Sequence, residues 1–369
     1  MTGSVARTGR TGPGLASTPD RITPAWLTEL LRGAGILDGG AVTTVRPEPC
    51  GTGQLGECYR FHLGYDRPGA GPASVVAKLP STDPVSRGYA AQVGLYAKEV
   101  NFYRDVAADL AIRTPRAYHA ELAPDGVEFC LLFEDLGPAL AVDQLSGCTP
   151  DQAVLAVEQA AAMHASSWHD ERLAALPWLQ REPGRWLAIA EVMPALHDAF
   201  VERYRDVLEP RHLEVARRLR EGICGWLEEL EQPTCLFHLD FRLDNMLFDA
   251  KAGEVPLAVV DWQSVTIGPG IADVSYFIGA GLLPDARRVH EDDLVAHYHR
   301  CLTEAGVTGY PLERCRRDYR IHAVLGFFTA VNASVNVKRT DRGDEMFLTM
   351  ARRHGEQILD NATLELIGA

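Results

Sequence analysis

CLFHLDFRLDNMLFDAKAGEVPLAVVDWQ, residues Cys235 to Gln263, is the stretch on which the reading of this chain turns. Two short apolar strands are expected in it, around Met246–Phe248 and Pro256–Val260, joined by a turn over Ala250–Gly253. A polar cluster of His238, Asp240, Arg242, Asp244 and Asn245 stands just before the first strand. Asp261 and Trp262 follow the second. Carboxylate and amide oxygens are hard ligands suited to magnesium. A polar loop, a hairpin and a carboxylate at a strand end form a compact holder for metal-bound phosphate.

Upstream, Val42–Val45 reads as a strand and leads into Gly51-Thr52-Gly53-Gln54-Leu55-Gly56, a G-x-G-x-x-G string. A dinucleotide-binding turn and a kinase phosphate loop share that string, and an ordinary glycine-rich turn can contain it. The dinucleotide version opens a helix. Here Glu57–Leu63 instead puts Tyr59, Phe61 and Leu63 on one face at period two, which predicts a hairpin. Ser74–Leu79 (SVVAKL) is an apolar strand carrying one lysine, Lys78. An ammonium in such company must reach water or find an anion. A helix expected from about Tyr89 to Ala108 offers Glu99 as that partner. Taken singly, Lys78 reads equally well as an edge-strand lysine and Glu99 as a solvated helix position; glycine loop, strand lysine and helix glutamate in that order are harder to dismiss.

The bulk properties restrict the alternatives. The 369 residues suffice for two lobes, with 46% hydrophobic and 23% charged residues. The formal net charge of −14 gives no basic field for nucleic acid or an anionic membrane. It would suit a cationic substrate, and it equally serves solubility. The eight cysteines (50, 58, 130, 148, 224, 235, 301 and 315) are scattered and form no C-x-x-C pair, so buried free thiols in a reducing compartment are expected. Residues 1–22, rich in Gly, Thr, Ser and Arg, read as a disordered arm without the apolar core of a signal peptide. No apolar run approaches the roughly 18 residues a spanning helix needs, and a cytoplasmic location is expected.

Thr23-Pro24 signals a helix start, with Trp26, Leu27, Leu30 and Leu31 as its apolar face. GVEFCLLFEDLG (126–137) predicts a strand ending at Glu134-Asp135, with an inter-lobe hinge at about 134–139 and helical composition from there. Helices are expected over Pro150–Trp168, within Met193–Leu230, from Ile271 to Leu283, over 291–306 and 312–338, and over Asp344–Leu359. His164 is read as a packed core histidine. The resulting domains are an arm (1–22), a nucleotide-binding lobe (23–137) and a mainly helical catalytic and acceptor-binding lobe (138–369).

The order His238-x-Asp240-x4-Asn245, then Asp261, resembles the signature of the aminoglycoside phosphotransferase-like kinases. That superfamily also includes the choline, fructosamine and ecdysteroid-kinase-like proteins. Trp262 stands where protein kinases have the phenylalanine of D-F-G, and Gly268–Asp273 is similar to the turn and helix start of the small-molecule branch. The resemblance covers roughly residues 40–350. It implies an α+β, bilobal, protein-kinase-like fold, with an N-terminal antiparallel sheet lobe bearing a helix and a mainly helical C-terminal lobe.

The implied cofactors are ATP and Mg, and the implied partner is a small-molecule hydroxyl acceptor. Asp240 is then the catalytic base, and Asn245 and Asp261 the metal ligands. Gly51, Gly53, Gly56 and Lys78, with Glu99 as its partner, hold the nucleotide phosphates, and Glu134 and Leu136 flank the adenine. Arg242 either stabilises transferring phosphate or makes a structural ion pair with Asp244 or another acid. His238, counted with Asp240 and Arg242 among the catalytic residues, orients the loop as a hydrogen-bond donor in preference to serving as acid or base. Asp273 caps a helix and braces that loop in preference to acting as a ligand. Many relatives have glycine between the histidine and the aspartate, where this chain has Leu239. The expected activity is phosphorylation of a hydroxyl on an antibiotic such as an aminoglycoside, a sugar or another hydroxylated natural product. A nucleotide-binding pseudokinase is the non-enzymatic alternative. A protein kinase is opposed by Asp-Trp and by the absence of A-P-E.

Overall fold

The computed structural model describes residues 14–51, 55–179, 185–230, 234–336 and 339–369. The chain divides into two compact units, one of Met1–Arg104 and Pro115–Asp135, the other of Asp105–Thr114 and Leu136–Ala369.

The first unit is built on five antiparallel strands: β1 (Val42–Cys50), β2 (Gly56–Tyr65), β3 (Ser74–Pro80), β4 (Ala117–Leu122) and β5 (Phe129–Glu134), in the order β1-β2-β3-β5-β4. Period-two alternation gives the sheet two distinct faces. Phe61, Val75, Ala77, Leu79, Cys130 and Leu132 turn one way and bury against α1 (Pro24–Gly33). That helix begins where Pro24 follows the capping residue Thr23, whose hydroxyl accepts the Trp26 N–H at 3.2 Å. The opposite face carries Lys78 and meets the aromatics of α3 (Leu95–Asp105), with Tyr96 on Phe129 and Tyr103 on Phe133, ring centroids 4.6 Å apart in each pair.

Two expectations are corrected here. The single helix from Tyr89 to Ala108 is two, α2 (Pro84–Gln92) and α3, because Gly94 takes a left-handed φ of +74° and stops the first. The described part of the expected arm, residues 14–22, is packed: Ala16 and Ile22 are buried in the α1 core, and the Trp26 indole N–H donates to the Gly14 carbonyl at 2.8 Å. Those few apolar residues were diluted by their polar neighbours in the sequence.

The second unit is mainly helical: α4 (Pro150–Ser166), α5 (Glu171–Ala174), α6 (Arg185–Tyr204), α7 (Pro210–Glu229), α8 (Ile271–Gly281), α9 (Pro284–Glu304), α10 (Leu312–Ile321), α11 (Val324–Asn336), α12 (Asp341–Asp360) and α13 (Thr363–Leu366). The helix expected over 312–338 is thus broken, at His322–Ala323. Composition after Gly137 suggested helix, yet the first element there is a short strand, β6 (Leu140–Ala141), and helix begins only at the Thr149–Gln152 capping box of α4.

The opening stretch supplies β7 (Cys235–Phe237) and the hairpin of β8 (Met246–Ala250) and β9 (Val255–Val259); β6 pairs with β8, and β10 (Thr266–Gly268) with β7. Every residue of α8 is buried. It lies in a core with Trp226 of α7, Phe327 of α11 and Met350 of α12, and no charged stripe marks a solvent side. Gly279 is required there, because a Cβ would stand 1.9 Å from Gln357 Oε1. The expectation of buried thiols is met only at Cys130, Cys235 and Cys315. No described helix is long and apolar enough to cross a membrane.

Candidate active site

In the first unit, the register puts Lys78 of β3 opposite Cys58 of β2 and Leu131 of β5. Its ammonium lies 2.8 Å and 2.7 Å from the two carboxylate oxygens of Glu99, with Lys78 only 9% and Glu99 only 1% exposed. Gly56 runs past the lysine stem: a Cβ there would meet Lys78 Cε and the Leu79 carbonyl, each at 3.2 Å. Gly51, at the end of β1, has φ of +80°, a left-handed conformation that glycine adopts without strain. Gly53 lies outside the described residues. Tyr96, one turn before Glu99, was missed in the sequence: its hydroxyl donates to the Leu55 carbonyl at 2.6 Å and accepts the Ser81 N–H at 3.3 Å. It thereby ties α3 to the start of β2 and the end of β3.

Glu134, at the end of β5, is buried; its carboxylate accepts the Arg116 N–H at 2.8 Å, and its own N–H donates to the Arg116 carbonyl at 2.9 Å. Leu136, in the second unit, packs on Ala250 and Ala258, and its carbonyl accepts the Lys251 N–H at 2.9 Å.

The second unit brings His238, Asp240, Arg242, Asn245 and Asp261 together around one loop. Asp273, in the first turn of α8, anchors that loop's backbone: its carboxylate accepts the His238 N–H at 2.7 Å and the Leu239 N–H at 2.9 Å. The position before the helix belongs to Gly270, so Asp273 braces the loop without capping the helix. His164 stands behind it, fully buried, 3.4 Å from the Asp273 carboxylate and 2.9 Å from the Tyr298 hydroxyl, the packed histidine expected.

His238 is fully buried, and both ring nitrogens are engaged. Nδ1 accepts the Asp240 N–H at 3.3 Å, and Nε2 lies 3.2 Å from the Val260 carbonyl, an arrangement that assigns the proton to Nε2. Its ring packs against Trp262 at 4.6 Å. The histidine holds the loop to the strand end before Asp261, and no ring nitrogen remains for acid–base work.

Three donors converge on the Asp240 carboxylate. Arg242 Nε and the Tyr276 hydroxyl donate to Oδ1 at 3.0 and 3.1 Å, and Asn245 Nδ2 donates to Oδ2 at 2.9 Å. The Arg242 guanidinium also pairs with Asp244, so the ion pair left open in the sequence is formed and includes Asp240 as well. Burial works against the guanidinium's charge, but the two carboxylates hold its pKa above the ordinary value. Burial, reinforced by Asp240, lifts the Tyr276 hydroxyl well above the ordinary range, so it remains a donor. Tyr276 was missed in the sequence, although it follows Asp273 by one helical turn and therefore shares its face of α8. Gln144, which accepts the Leu243 N–H at 3.0 Å, had no such signal.

Asn245 spends its second amide hydrogen contact on the Asp240 carbonyl at 2.8 Å, which leaves Oδ1 as the atom to offer a cation. Its own carbonyl accepts the Val260 N–H at 2.9 Å, one residue before Asp261. Among the described residues no group of three or more His, Cys, Asp or Glu could hold a metal. Asn245 with Asp261 nevertheless fits magnesium, which keeps several waters and takes few protein oxygens when it sits on phosphates.

The first unit, an antiparallel sheet bearing helices, and the mainly helical second unit correspond to the N-terminal and C-terminal lobes of a protein-kinase-like fold. The chain belongs to the ecdysteroid kinase-like family, whose model matches residues 51–307, well over half of its length. It is similar in fold to a microcompartment-associated aminopropanol kinase (14% identity, 91% of this chain and 98% of that one, TM-score 0.53). It is likewise similar to a Plasmodium vivax ethanolamine kinase (10% identity, 91% and 89%, TM-score 0.51). Among curated proteins, an uncharacterised kinase-like protein of Caenorhabditis elegans is 25% identical over 262 residues, 65% of this chain and 64% of that one. A 69-residue segment is 48% identical to mouse acyl-CoA dehydrogenase family member 10, covering 18% of this chain and 6% of that protein. The chain spans less than two thirds of the length of these curated relatives.

Proposed function

We propose that this protein is an ATP- and magnesium-dependent phosphotransferase that phosphorylates a hydroxyl group of a small molecule. The observation that carries the reading is the Asp240 carboxylate, fixed by Arg242, Tyr276 and Asn245 and still partly exposed, its side chain 24% accessible. In this role Asp240 orients the acceptor hydroxyl and takes its proton as the oxygen attacks the terminal phosphorus. Oδ2 carries one donor where Oδ1 carries two, so Oδ2 is the atom for that proton. Lys78, held by Glu99, binds nucleotide phosphate oxygens; Asn245 and Asp261 hold the magnesium. The ion, when bound, neutralises charge on the transferring phosphate. Arg242, already shared by Asp240 and Asp244, serves the base by holding it. Leu136 and Glu134 border the adenine, and the glycines at 51, 53 and 56 border the phosphates.

The acceptor class is drawn from names borne by similar proteins and from the acidic balance: amino alcohols and aminoglycosides first, then sugars and polyols. The acyl-CoA dehydrogenase names among the relatives add hydroxyacyl thioesters to the panel. The test is a screen of these hydroxyl compounds with ATP and magnesium, read by mass spectrometry for the gain of one phosphoryl group. Asp240→Asn is expected to abolish the product while ATP binding persists, and Asp261→Ala to weaken magnesium-dependent ATP binding in calorimetry. Unchanged turnover in the first variant refutes the base assignment, and unchanged affinity in the second refutes the metal site.

A further inference from the structure

Cys50 ends β1 and Cys58 is the third residue of β2, and the register sets them directly opposite one another. Opposed residues of an antiparallel pair project to the same face, with Cα atoms about 4.5–5.5 Å apart. A disulfide needs a Cα separation of about 4.4–6.8 Å, so this pair meets the requirement without moving either strand. The strands remain close beyond it: a Cβ on Gly51 would stand 3.8 Å from the Cys58 Cβ. Cys58 is in turn opposite Lys78, which puts both thiols on the face of the sheet that carries the lysine. Both are partly exposed, whereas Cys130, Cys235 and Cys315 are buried. Burial pushes the Cys50 thiol up and the nearby Arg60 guanidinium pulls it down.

Two small residues packed across a hairpin would satisfy the sheet as alanine or valine does. Two thiols in this relation can do more. We propose that Cys50 and Cys58 are a modification site, forming a reversible disulfide across β1 and β2 by exchange with a low-molecular-weight disulfide such as oxidised glutathione. One cysteine thiolate attacks a glutathione sulfur and releases one reduced glutathione. The other thiolate then attacks the protein sulfur of the mixed disulfide and releases the second. The two protein thiols are oxidised by two electrons, the glutathione disulfide is reduced to two thiols, and the cysteine protons pass to the departing thiolates. A nucleotide lying on the Lys78 face covers the pair, so oxidation and nucleotide binding exclude one another. That coupling rests on the proposed function; the disulfide itself does not.

The experiment uses the full chain in glutathione buffers of graded oxidised-to-reduced ratio, with and without magnesium and ATP. Samples are alkylated, digested with trypsin and weighed. No lysine or arginine lies between Cys50 and Cys58, so the tryptic peptide ending at Arg60 carries both cysteines. The expected result is a peptide two hydrogens lighter that cannot be alkylated until a dithiol is added. With ATP at 100 times its Kd the oxidation slows about 100-fold. Cys58→Ser removes any effect of the oxidant on ATP affinity. Exposed Cys224 reports that the oxidant is active. If Cys224 is modified while Cys50 and Cys58 stay fully alkylatable, or carry two separate glutathiones, the proposal is overturned. If the cross-link forms and calorimetry shows ATP bound without slowing it, the coupling is overturned. A cross-link in a chain that binds no ATP leaves the modification site standing and removes the kinase reading.

Discussion

Neutralising the Lys78–Glu99 pair in one step, and each partner alone, separates what the pair does for stability from what it does for nucleotide. The ammonium lies within 2.8 Å of both carboxylate oxygens, with Lys78 9% and Glu99 1% exposed. Breaking a pair at such burial leaves one charge uncompensated and costs about 3–5 kcal/mol. Against a total stability of about 5–15 kcal/mol, Lys78→Met or Glu99→Leu alone should strip a large share from the first unit. Replacing both with apolar side chains of similar volume removes the desolvation cost together with the attraction, and the result is expected near wild type or about 1–4 kcal/mol above it. Urea unfolding gives the totals, and hydrogen exchange of the β3 and α3 peptides locates the effect, which matters because the two units need not unfold together. Nucleotide affinity should behave differently. The stable double variant still lacks the lysine's charged hydrogen bond to phosphate, about 1.5–3 kcal/mol, or roughly 10- to 100-fold in Kd for ATP. A double variant as unstable as either single would show that the pair is not an isolated desolvated unit. A stable double variant that binds ATP as tightly as wild type would end the phosphate role of Lys78.

Three further outcomes are expected. Asp273→Ala leaves the buried N–H of His238 and the part-buried N–H of Leu239 without their acceptor. It should cost about 1–3 kcal/mol for each in denaturant unfolding, with hydrogen exchange rising first at those two residues; protection unchanged there would refute the bracing role. Ala252→Gly, at an exposed hairpin position with φ of +57°, should gain about 0.5–1 kcal/mol, since a left-handed alanine costs more than glycine's extra chain entropy; a loss in thermal unfolding would contradict it. Burial lowers the His354 pKa from its ordinary 6.5 to about 3, against the hydrogen bond that its Nδ1–H donates to Gln357 Oε1, which works the other way. The folded value lies below the unfolded one, so the contribution is complete above pH 6.5 and falls away as pH drops towards 3. Between pH 8 and 5 the loss is roughly 2 kcal/mol from this group, and His354→Gln should flatten that part of the stability profile measured by denaturant unfolding.

The strand lysine, the helix glutamate and the polar loop were legible because each is a short-range pattern: period two around Lys78, Glu99 on one helix face with Phe102 and Tyr103, and His238 to Asn245 within eight residues. The breaks were less visible. Gly94 splits a helix whose apolar spacing runs on through it, and the His322–Ala323 break has no proline or glycine to announce it. The residues that fix Asp240 from a distance, Tyr276 and, beneath the loop, Gln144, follow from how α8 and the segment before α4 pack, and packing partners 36 and 99 residues away leave no local trace. The buried residues 14–22 were lost for the opposite reason: their few apolar side chains matter only once α1 offers them a surface.

Leu239 and Asp261 show why this site depends on its surroundings. Both are non-glycine residues in the left-handed region, with φ of +70° and +66°. Such positions cost about 1–3 kcal/mol each and persist only where neighbouring contacts over-determine them. Leu239 is held by Asp273 through its N–H, and its side chain lies against the main helical core. Asp261 follows Val260, whose N–H is bound to Asn245 and whose carbonyl meets His238. The two strained residues therefore flank one brace, His238 packed on Trp262, and each turns the chain at a carboxylate: Asp240 follows the first, and the second is Asp261 itself. A loop free to relax would move both carboxylates away from that arrangement. The strain stays because α8 supplies Asp273 under the backbone and Tyr276 under the Asp240 side chain, three residues apart on one helix face. That places the determinants of the site's geometry in a wholly buried helix, not in the polar loop where its chemistry is visible.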